Sequence, residues 1–438
     1  MAVVRYDMEI KLFSVYLFIV AGRFIYEWLY ENLKPALPSL SEVERTLANS
    51  SEPVKEGKFR FSELSEFLNV NNLIRKVFIA EDGTRIVQKF VYDLTSDQII
   101  GCVPPFADNG VPIMNSFPAS AAALIATHFE KGIPSSTAYA IMVQPAQYGA
   151  PSFCLSMFGS NNRFTTEHVF KGWHYIYDEL SKLGIECLGF AADGDPKVLN
   201  AMHTVMFSPG APCPKEFKDF YFAPGELKFS VMQDYIHTVN KFRNRLSPSH
   251  YLPLGKYSAS QSHLIILMDT MSKEQHGLTP AVMAKDKMNF NASMKICSER
   301  VTSLMEEHVP GSEGTVEYLN VMRCVMEAGL NKSLSPLEVI FKIWYATFFF
   351  RYWKNWLISN PKFTLDNFVS RNLYMCVEII AHSIICLILK SRTQNSKECL
   401  LIHLFSSQIC ESIFRLLRSM TSTESTVINF SMEHASEI

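Results

Sequence analysis

The sequence predicts a mixed α/β protein whose carboxyl-terminal part is helical. Between residues 73 and 232, a series of strand-like apolar runs is followed by amphipathic helical segments in the order helix, strand, helix, strand. That order suits a mixed sheet with helices on its faces. Beyond residue 246 the strand signals stop, and the rest of the chain follows a helical pattern.

The amino-acid composition limits the classes of protein to which the chain can belong. The chain has 438 residues, 48% of them hydrophobic, which is enough for two or three structural units. Its 41 basic and 43 acidic residues give a net charge of −2, so any polyanion must be met by a local patch. The ten cysteines include no Cys-x-x-Cys pair, which favours reduced, mostly buried thiols of an intracellular protein over a zinc site or a disulfide framework.

Two apolar segments invite comparison with membrane spans. The run from Leu12 to Gly22 is too short to cross a bilayer, and it lacks the clear cleavage site of a signal peptide. The run at 373–389 is interrupted by Glu378 and His382, which favours a buried core helix. The sequence therefore predicts no membrane association.

The first 70 residues are predicted to be helical, with Pro35 and Pro38 closing the first segment. A strand follows at 73–80 and is expected to end in Glu81-Asp82-Gly83. The turn signal at 93–97 predicts a hairpin. The other strands are expected at 86–92, 98–103, 139–143 and 228–232, and helices at 168–183 and after Pro196.

The segment from Glu186 to Asp195 is a buried strand that ends in two acids flanking Gly194. In open α/β sheets, ligands bind at the carboxyl ends of strands, which makes Asp193 a candidate ligand. The alternative is that Asp193 only caps the next helix. Asp195, directly before Pro196, is the better cap and leaves Asp193 free.

Two predicted strands each end in Asp-Gly, and neighbouring strands would bring Asp82 and Asp193 together. Close carboxylates repel unless a cation lies between them, so the pair predicts a Mg²⁺ site. Glu411 is the most plausible third acid, in a helix at 406–420 whose basic face carries Arg415 and Arg418. The alternative remains open, because Asp-Gly turns are common and acidic helix positions are usually solvated.

A second group of polar residues follows the strand at 228–232. On a helix starting after Asp234, the side chains of His237, Lys241 and Asn244 fall on one stripe, with Arg243 and Arg245 alongside. Together with Asp234 at the end of the strand, such a stripe suits contacts with a phosphate backbone, and Arg415 and Arg418 are predicted as further DNA contacts. The alternative is a solvated basic helix with Asp234 as its N-cap.

These residues together resemble the DNA transposases of the P element and THAP-type group. The segment from Asp234 to Asn244 carries the Asp, His, Lys, Arg and Asn of that group in the same order. The spacing differs at its end, which reads Lys-Phe-Arg-Asn here. Phe190-Ala-Ala-Asp193-Gly194 resembles the group's strand ending in Asp-Gly, and the regions of Asp82 and Glu411 stand where it has its other acids. The sequence resembles uncharacterised transposon-derived proteins of invertebrates more closely still.

The resemblance implies an RNase H-like domain with a DDE site. Asp82, Asp193 and Glu411 would bind Mg²⁺ or Mn²⁺, and the enzyme would cut transposon ends and join them to target DNA. His237 and Lys241 would contact DNA near the scissile phosphate, in the nucleus. The implied domains are an amino-terminal helical region at 1–70, the RNase H-like domain at 71–245, an all-α insertion at 246–395, and the last part of the RNase H-like domain at 396–438.

Three alternatives stay open. Glu81 competes with Asp82 as the first acid. The first cysteine is Cys102, so the sequence predicts no THAP zinc module before the domain, and a truncated, decayed or domesticated copy is the alternative to an active transposase. A non-catalytic protein that binds DNA or self-associates through the aromatic segment Ile343–Trp356 is the competing class.

Overall fold

The computed structural model describes residues 6–48, 54–94, 96–207, 215–223, 227–283, 286–421 and 430–435. The strands in these ranges are β1 Lys76–Arg85, β2 Val91–Asp93, β3 Gln98–Ile100, β4 Thr137–Pro145, β5 Phe153–Ser160, β6 Glu186–Ala192, β7 Ser230–Gln233, β8 Leu252–Leu254 and β9 Tyr257–Ala259. The helices of the first half are α1 Met8–Asn32, α2 Leu40–Ala48, α3 Phe61–Val70, α4 Ala122–Lys131, α5 Thr166–Lys182, α6 Pro196–Met206 and α7 Tyr235–Arg245. The later helices are α8 Gln261–Thr270, α9 Lys273–His276, α10 Phe290–Ile296, α11 Glu299–His308, α12 Glu313–Leu330, α13 Pro336–Ile358, α14 Arg371–Gln394, α15 Gln408–Thr421 and α16 Met432–Ala435.

Five strands form one mixed sheet in the order β5-β4-β1-β6-β7. The β1–β4 and β4–β5 pairs are antiparallel, and β6 and β7 are parallel. Helix α4 lies between β1 and β4 in sequence, α5 between β5 and β6, and α6 between β6 and β7, as expected of a mixed α/β protein. The predicted fold class, a mixed sheet with flanking helices and a largely helical later region, is confirmed.

The chain divides into two compact units. The first consists of Met1–Cys187 together with Ser407–Ile438, and the second of Leu188–Ser406. The boundary falls within β6. Helix α15 therefore belongs to the same unit as β1 and β4.

The predicted end of the first strand at Glu81-Asp82-Gly83 is wrong. Pairing with β4 carries β1 past this point, with Asp82 opposite Ala140 and Gly83 opposite Tyr139. A Cβ atom on Gly83 would lie 2.9 Å from the Thr137 side chain, so the glycine is explained by close packing and not by a turn. Asp82 consequently lies inside a strand, and its neighbours in sequence face the side of the sheet opposite to its own.

The sequence reading missed β5 and α4. All eight residues of β5 are buried, so its apolar residues do not alternate with polar ones and give no period-two signal. The predicted hairpin exists, but as a separate two-stranded sheet of β2 and β3. Among the described residues after 246, the regular structure is helical apart from one short hairpin, β8–β9, which the sequence did not predict.

In the second unit, α13 packs against both α12 and α14, and α14 also packs against β7. By length and composition α14 is the one described helix that could cross a membrane, but 67% of its apolar window is buried inside the protein. Its His382 ring is fully buried and accepts the N–H of Phe222, and burial lowers the pKa of that ring to about 4. The predicted buried core helix at 373–389 is confirmed.

In the first unit, the carboxylate of Glu56 joins two segments that are far apart in sequence. Its two oxygens accept the backbone N–H groups of Gly101 (2.9 Å) and Gly159 (2.8 Å). A Cβ atom on Gly159 would lie 2.8 Å from one of those oxygens and 2.1 Å from Ser135 Oγ, so only glycine fits there. Burial raises the pKa of Glu56 to about 7, although both hydrogen bonds lower it.

This raised pKa predicts a pH-dependent stability. The ionised form of Glu56 is disfavoured in the folded state, so the free energy of unfolding should fall by about 3 kcal/mol as the pH rises from about 4.5 to about 7. Glu56→Gln removes this titration. The free energies of unfolding of the wild type and of Glu56→Gln, measured in urea across that range and plotted against pH, should therefore give curves of different slope. Every other titrating group is common to the two proteins. Parallel curves would contradict the prediction.

Candidate metal centre and nucleic-acid interface

Two of the three predicted acids, Asp82 and Glu411, come together in the first unit although most of the chain separates them in sequence. Helix α15 packs against β1 and β4. The side chains of Cys410, Phe414 and Leu417 on this helix are fully buried. This leaves Glu411 half-buried beside the strand, with a carboxylate oxygen within 4.8 Å of one from Asp82.

The strand register distinguishes Asp82 from its neighbour Glu81. The Glu81 carboxylate is 5% exposed and accepts the indole N–H of Trp173 at 3.0 Å. Trp173 lies on α5, whereas Asp82 lies close to α15. Because successive side chains of a strand point to opposite faces, only Asp82 can pair with Glu411.

The Asp82–Glu411 pair is a region of concentrated negative charge. Burial raises the pKa of the neighbouring Cys410 thiol, and the carboxylates of Asp82, Glu81 and Glu411 raise it further. Carboxylate oxygens that share a Mg²⁺ or Ca²⁺ ion at roughly 2.0–2.6 Å lie at most about 4–5 Å apart. The Asp82–Glu411 separation and its all-oxygen donor set therefore fit a hard divalent cation.

Asp193 lies in the second unit, directly after β6. Its carboxylate accepts the N–H of Asp195 at 2.9 Å. Asp195 in turn accepts the N–H of Lys197 at 2.8 Å and is the N-cap of α6, with Pro196 at the first helical position. The assignment of Asp195 as the helix cap is confirmed, so the capping function does not require Asp193.

A chain of polar contacts fixes the peptide of Asp193. The Gln233 side chain donates to the Asp193 carbonyl oxygen at 3.1 Å and accepts from the Cys376 thiol at 3.1 Å. Lys241 donates to the same thiol at 3.4 Å. A Cβ atom on Gly194 would lie 1.6 Å from Lys241 Nζ, so glycine lets this ammonium group approach the backbone next to Asp193.

The sequence reading missed Gln233 and Cys376 in this chain of contacts. Gln233 carried a usable signal, since it is the polar residue that ends the apolar strand β7. Cys376 carried none, because one cysteine among the apolar residues of α14 looks like any other core residue.

Helix α7 starts after Asp234, as predicted. Asp234 is fully buried, accepts the N–H of His237 at 3.0 Å and also accepts the hydroxyl of Ser406 at 2.5 Å. This gives Asp234 the role of an N-cap. His237 and Lys241 are half-buried on the same side of the helix, one turn apart.

The other predicted DNA contacts on α7 have partners inside the second unit. Arg243 is 8% exposed and donates to the carbonyl oxygens of Val282 and Asp286. Arg245 donates to the Phe368 carbonyl at 2.8 Å, and Asn244 to that of Lys287 at 3.0 Å. Three side chains expected to hold phosphate thus bind loop carbonyls, which gives them a structural role that the sequence could not reveal.

The two basic residues predicted on α15, Arg415 and Arg418, differ in exposure and in hydrogen-bond partner. Arg415 is exposed and donates to Ser412 on its own helix at 3.4 Å. Arg418 is half-buried and donates to the hydroxyl of Thr84 on β1. Both therefore lie in the same unit as the Asp82–Glu411 pair, and Arg418 reaches the strand that carries Asp82.

The mixed sheet with its flanking helices is a transposase-like fold, as comparison with solved structures shows. Among solved structures, the chain is similar to the Drosophila P element transposase strand transfer complex, with a TM-score of 0.64 and 13% sequence identity over 99% of this chain and 90% of that one. At this identity the likeness is one of fold. The chain matches no protein-family model and no curated protein.

Proposed function

We propose that the chain is a metal-dependent DNA-processing protein of the P element and THAP-type transposase group, with an RNase H-like DDE site. The observation that carries the proposal is the approach of Asp82 and Glu411 to within 4.8 Å, since residue type and sequence context independently predict both acids as metal ligands. The fold likeness to a P element transposase complex supports the same class.

In this proposal Asp82, Glu411 and Asp193 hold Mg²⁺ or Mn²⁺. Such ions activate a water or a hydroxyl and stabilise the leaving oxygen of a phosphodiester. Side chains of the protein would orient the attacking water or hydroxyl and the phosphodiester. Lys241, beside Gly194, and His237, one turn earlier on α7, supply positive charge and hydrogen bonds to the DNA strand.

The proposed substrates are transposon ends and target DNA, which implies work in the nucleus. With a net charge of −2, the chain must bind DNA through local groups, for which Lys241, Arg415 and Arg418 are the candidates. A homo-oligomer is proposed because a strand-transfer reaction joins two DNA molecules. Cleavage of DNA by the purified chain would distinguish an active enzyme from a domesticated copy.

The direct test is nicking and joining of DNA by the purified full chain with Mg²⁺ or Mn²⁺. We expect cleavage that requires the metal, is lost with EDTA and is lost in Asp82→Asn. Glu81→Gln is the matched control, because Glu81 faces α5 and should not take part. Equal cleavage by the wild type and Asp82→Asn would point to a contaminating nuclease and would refute the catalytic proposal.

Metal binding can be tested separately from catalysis. Mg²⁺ at 10- to 100-fold over its Kd should stabilise the wild type by roughly 1.4–2.7 kcal/mol through mass action. Asp82→Asn and Glu411→Gln should lose most of this stabilisation in thermal unfolding with and without Mg²⁺. A chain that binds metal but does not cut DNA would be a decayed enzyme.

A further inference from the structure

Helix α13 (Pro336–Ile358) carries apolar side chains on two opposite faces. One face packs into the second unit, in contact with α12 and α14. Its buried residues follow the alternating three- and four-residue spacing of a helix–helix seam. They are Val339, Ile343, Ala346, Phe350, Trp353 and Leu357.

The opposite face of α13 is exposed yet equally apolar. We call it the outer seam: Leu337, Phe341, Tyr345, Phe348 and Tyr352, whose exposed fractions are 75%, 71%, 40%, 47% and 79%. A helix that is apolar on all sides is normally buried on all sides. A contiguous exposed patch of this kind marks an interaction surface.

The size of the outer seam fits a small interface between folded proteins. With about 200 Å² for a whole aromatic side chain, its four rings leave roughly 450–500 Å² exposed. Two such surfaces would bury about 1,000 Å² even without Leu337, which is near the lower limit for a specific interface.

We propose that the outer seam binds the outer seam of a second copy of this chain, with the two helices antiparallel. The spacing of the four aromatic residues is the same in both directions along the helix. Tyr345 follows Phe341 by four positions, and Tyr352 follows Phe348 by four. A two-fold axis between Tyr345 and Phe348 therefore places Phe341 against the partner's Tyr352, and Tyr345 against the partner's Phe348. Such self-complementarity is what a two-fold dimer requires.

The charges beside the outer seam favour this arrangement. The cation of Lys342 is paired with Glu327 at 2.6 Å, and that of Arg351 with Glu378 at 2.6 Å, so neither brings an unpaired charge to the axis. The antiparallel register sets Glu338 opposite the partner's Asn355, which carries no charge. A parallel register would instead set Glu338 against its own copy, which is repulsive.

The test is sedimentation equilibrium of the full chain from about 1 to 100 µM, the range that detects micromolar association. The wild type should form dimers. Phe341→Lys and Tyr352→Glu should each weaken the dimer at least about tenfold, since each removes two aromatic contacts per dimer. Leu365→Lys, at a residue 53% exposed in the same unit but off the outer seam, is the matched control and should leave the dimer unchanged.

Mixing the two variants tests the register. In the antiparallel pair, the lysine introduced at position 341 of one copy faces the glutamate introduced at position 352 of the other, so the mixture should recover most of the wild-type affinity. Unchanged thermal unfolding of each variant would exclude misfolding. A chain that stays monomeric throughout, or a mixture as weak as the single variants, would overturn the proposal. The result does not depend on metal or DNA, so it stands or falls separately from the proposed catalytic function.

Discussion

Replacing Asp193 by Asn is expected to lower the rate of metal-dependent DNA nicking at least about 1,000-fold. A bound metal ion stabilises the transition state of phosphodiester cleavage by several kcal/mol, and each 1.36 kcal/mol is a factor of ten in rate. Asn is neutral, so its amide oxygen is a weaker ligand of a hard cation than the carboxylate that it replaces. The peptide should keep its position, because Gln233 binds the Asp193 backbone and not its side chain.

Asp195→Asn is the matched control for this experiment. Asp195 is two residues away and caps α6 through its side chain. Asn caps helices about as well as Asp, so this variant should keep both its stability and its nicking rate to within about twofold. If Asp195→Asn were inactive and Asp193→Asn active, the roles of the two acids would be reversed.

Replacing Glu378 by Gln is expected to lower the free energy of unfolding by about 3–5 kcal/mol, the cost of breaking a buried ion pair from one side. Arg351 on α13 donates two hydrogen bonds to the Glu378 carboxylate on α14, at 2.7 and 2.6 Å, and a third to the Phe220 carbonyl at 2.8 Å. The two side chains are 17% and 8% exposed. Loss of the negative charge would leave the guanidinium group buried without a counter-ion.

The matched control is Glu327→Gln in the neighbouring pair with Lys342. That pair is just as short, 2.6 Å, but its side chains are 26% and 29% exposed. Its loss should cost less than about 1 kcal/mol. Equilibrium unfolding in urea would measure the free energy of unfolding of both variants. Similar losses would show that burial does not distinguish the two ion pairs. Replacing Arg351 and Glu378 together by Met and Leu should recover part of the loss.

Some features of the site could be predicted because their causes are local. The end of β6 follows from an apolar run that stops at Asp193-Gly194, and the cap of α6 from Asp195 before Pro196. The start of α7 at Asp234 is of the same kind. In each case neighbouring residues supply both the hydrogen-bond donors and the acceptors.

Other features depend on partners that are distant in sequence. Whether Glu81 or Asp82 faces Glu411 is set by the pairing of β1 with β4 and by the packing of Trp173, neither of which leaves a mark near residue 82. The structural role of Arg243 is likewise set by carbonyl groups about 40 residues later in the chain. A basic residue on a predicted helix looks the same in sequence whether it is solvated or bound to such a carbonyl.

By itself the sequence determined the class of fold, the buried character of α14 and the identity of the candidate acids, because periodicity, capping and residue type are properties of short segments. The tertiary structure decided that Asp82 lies within a strand, that Glu411 meets it, and that one face of α13 is left uncovered. These outcomes depend on strand register and on helix packing over long sequence separations. A one-residue change in register would have turned Glu81, and not Asp82, toward α15.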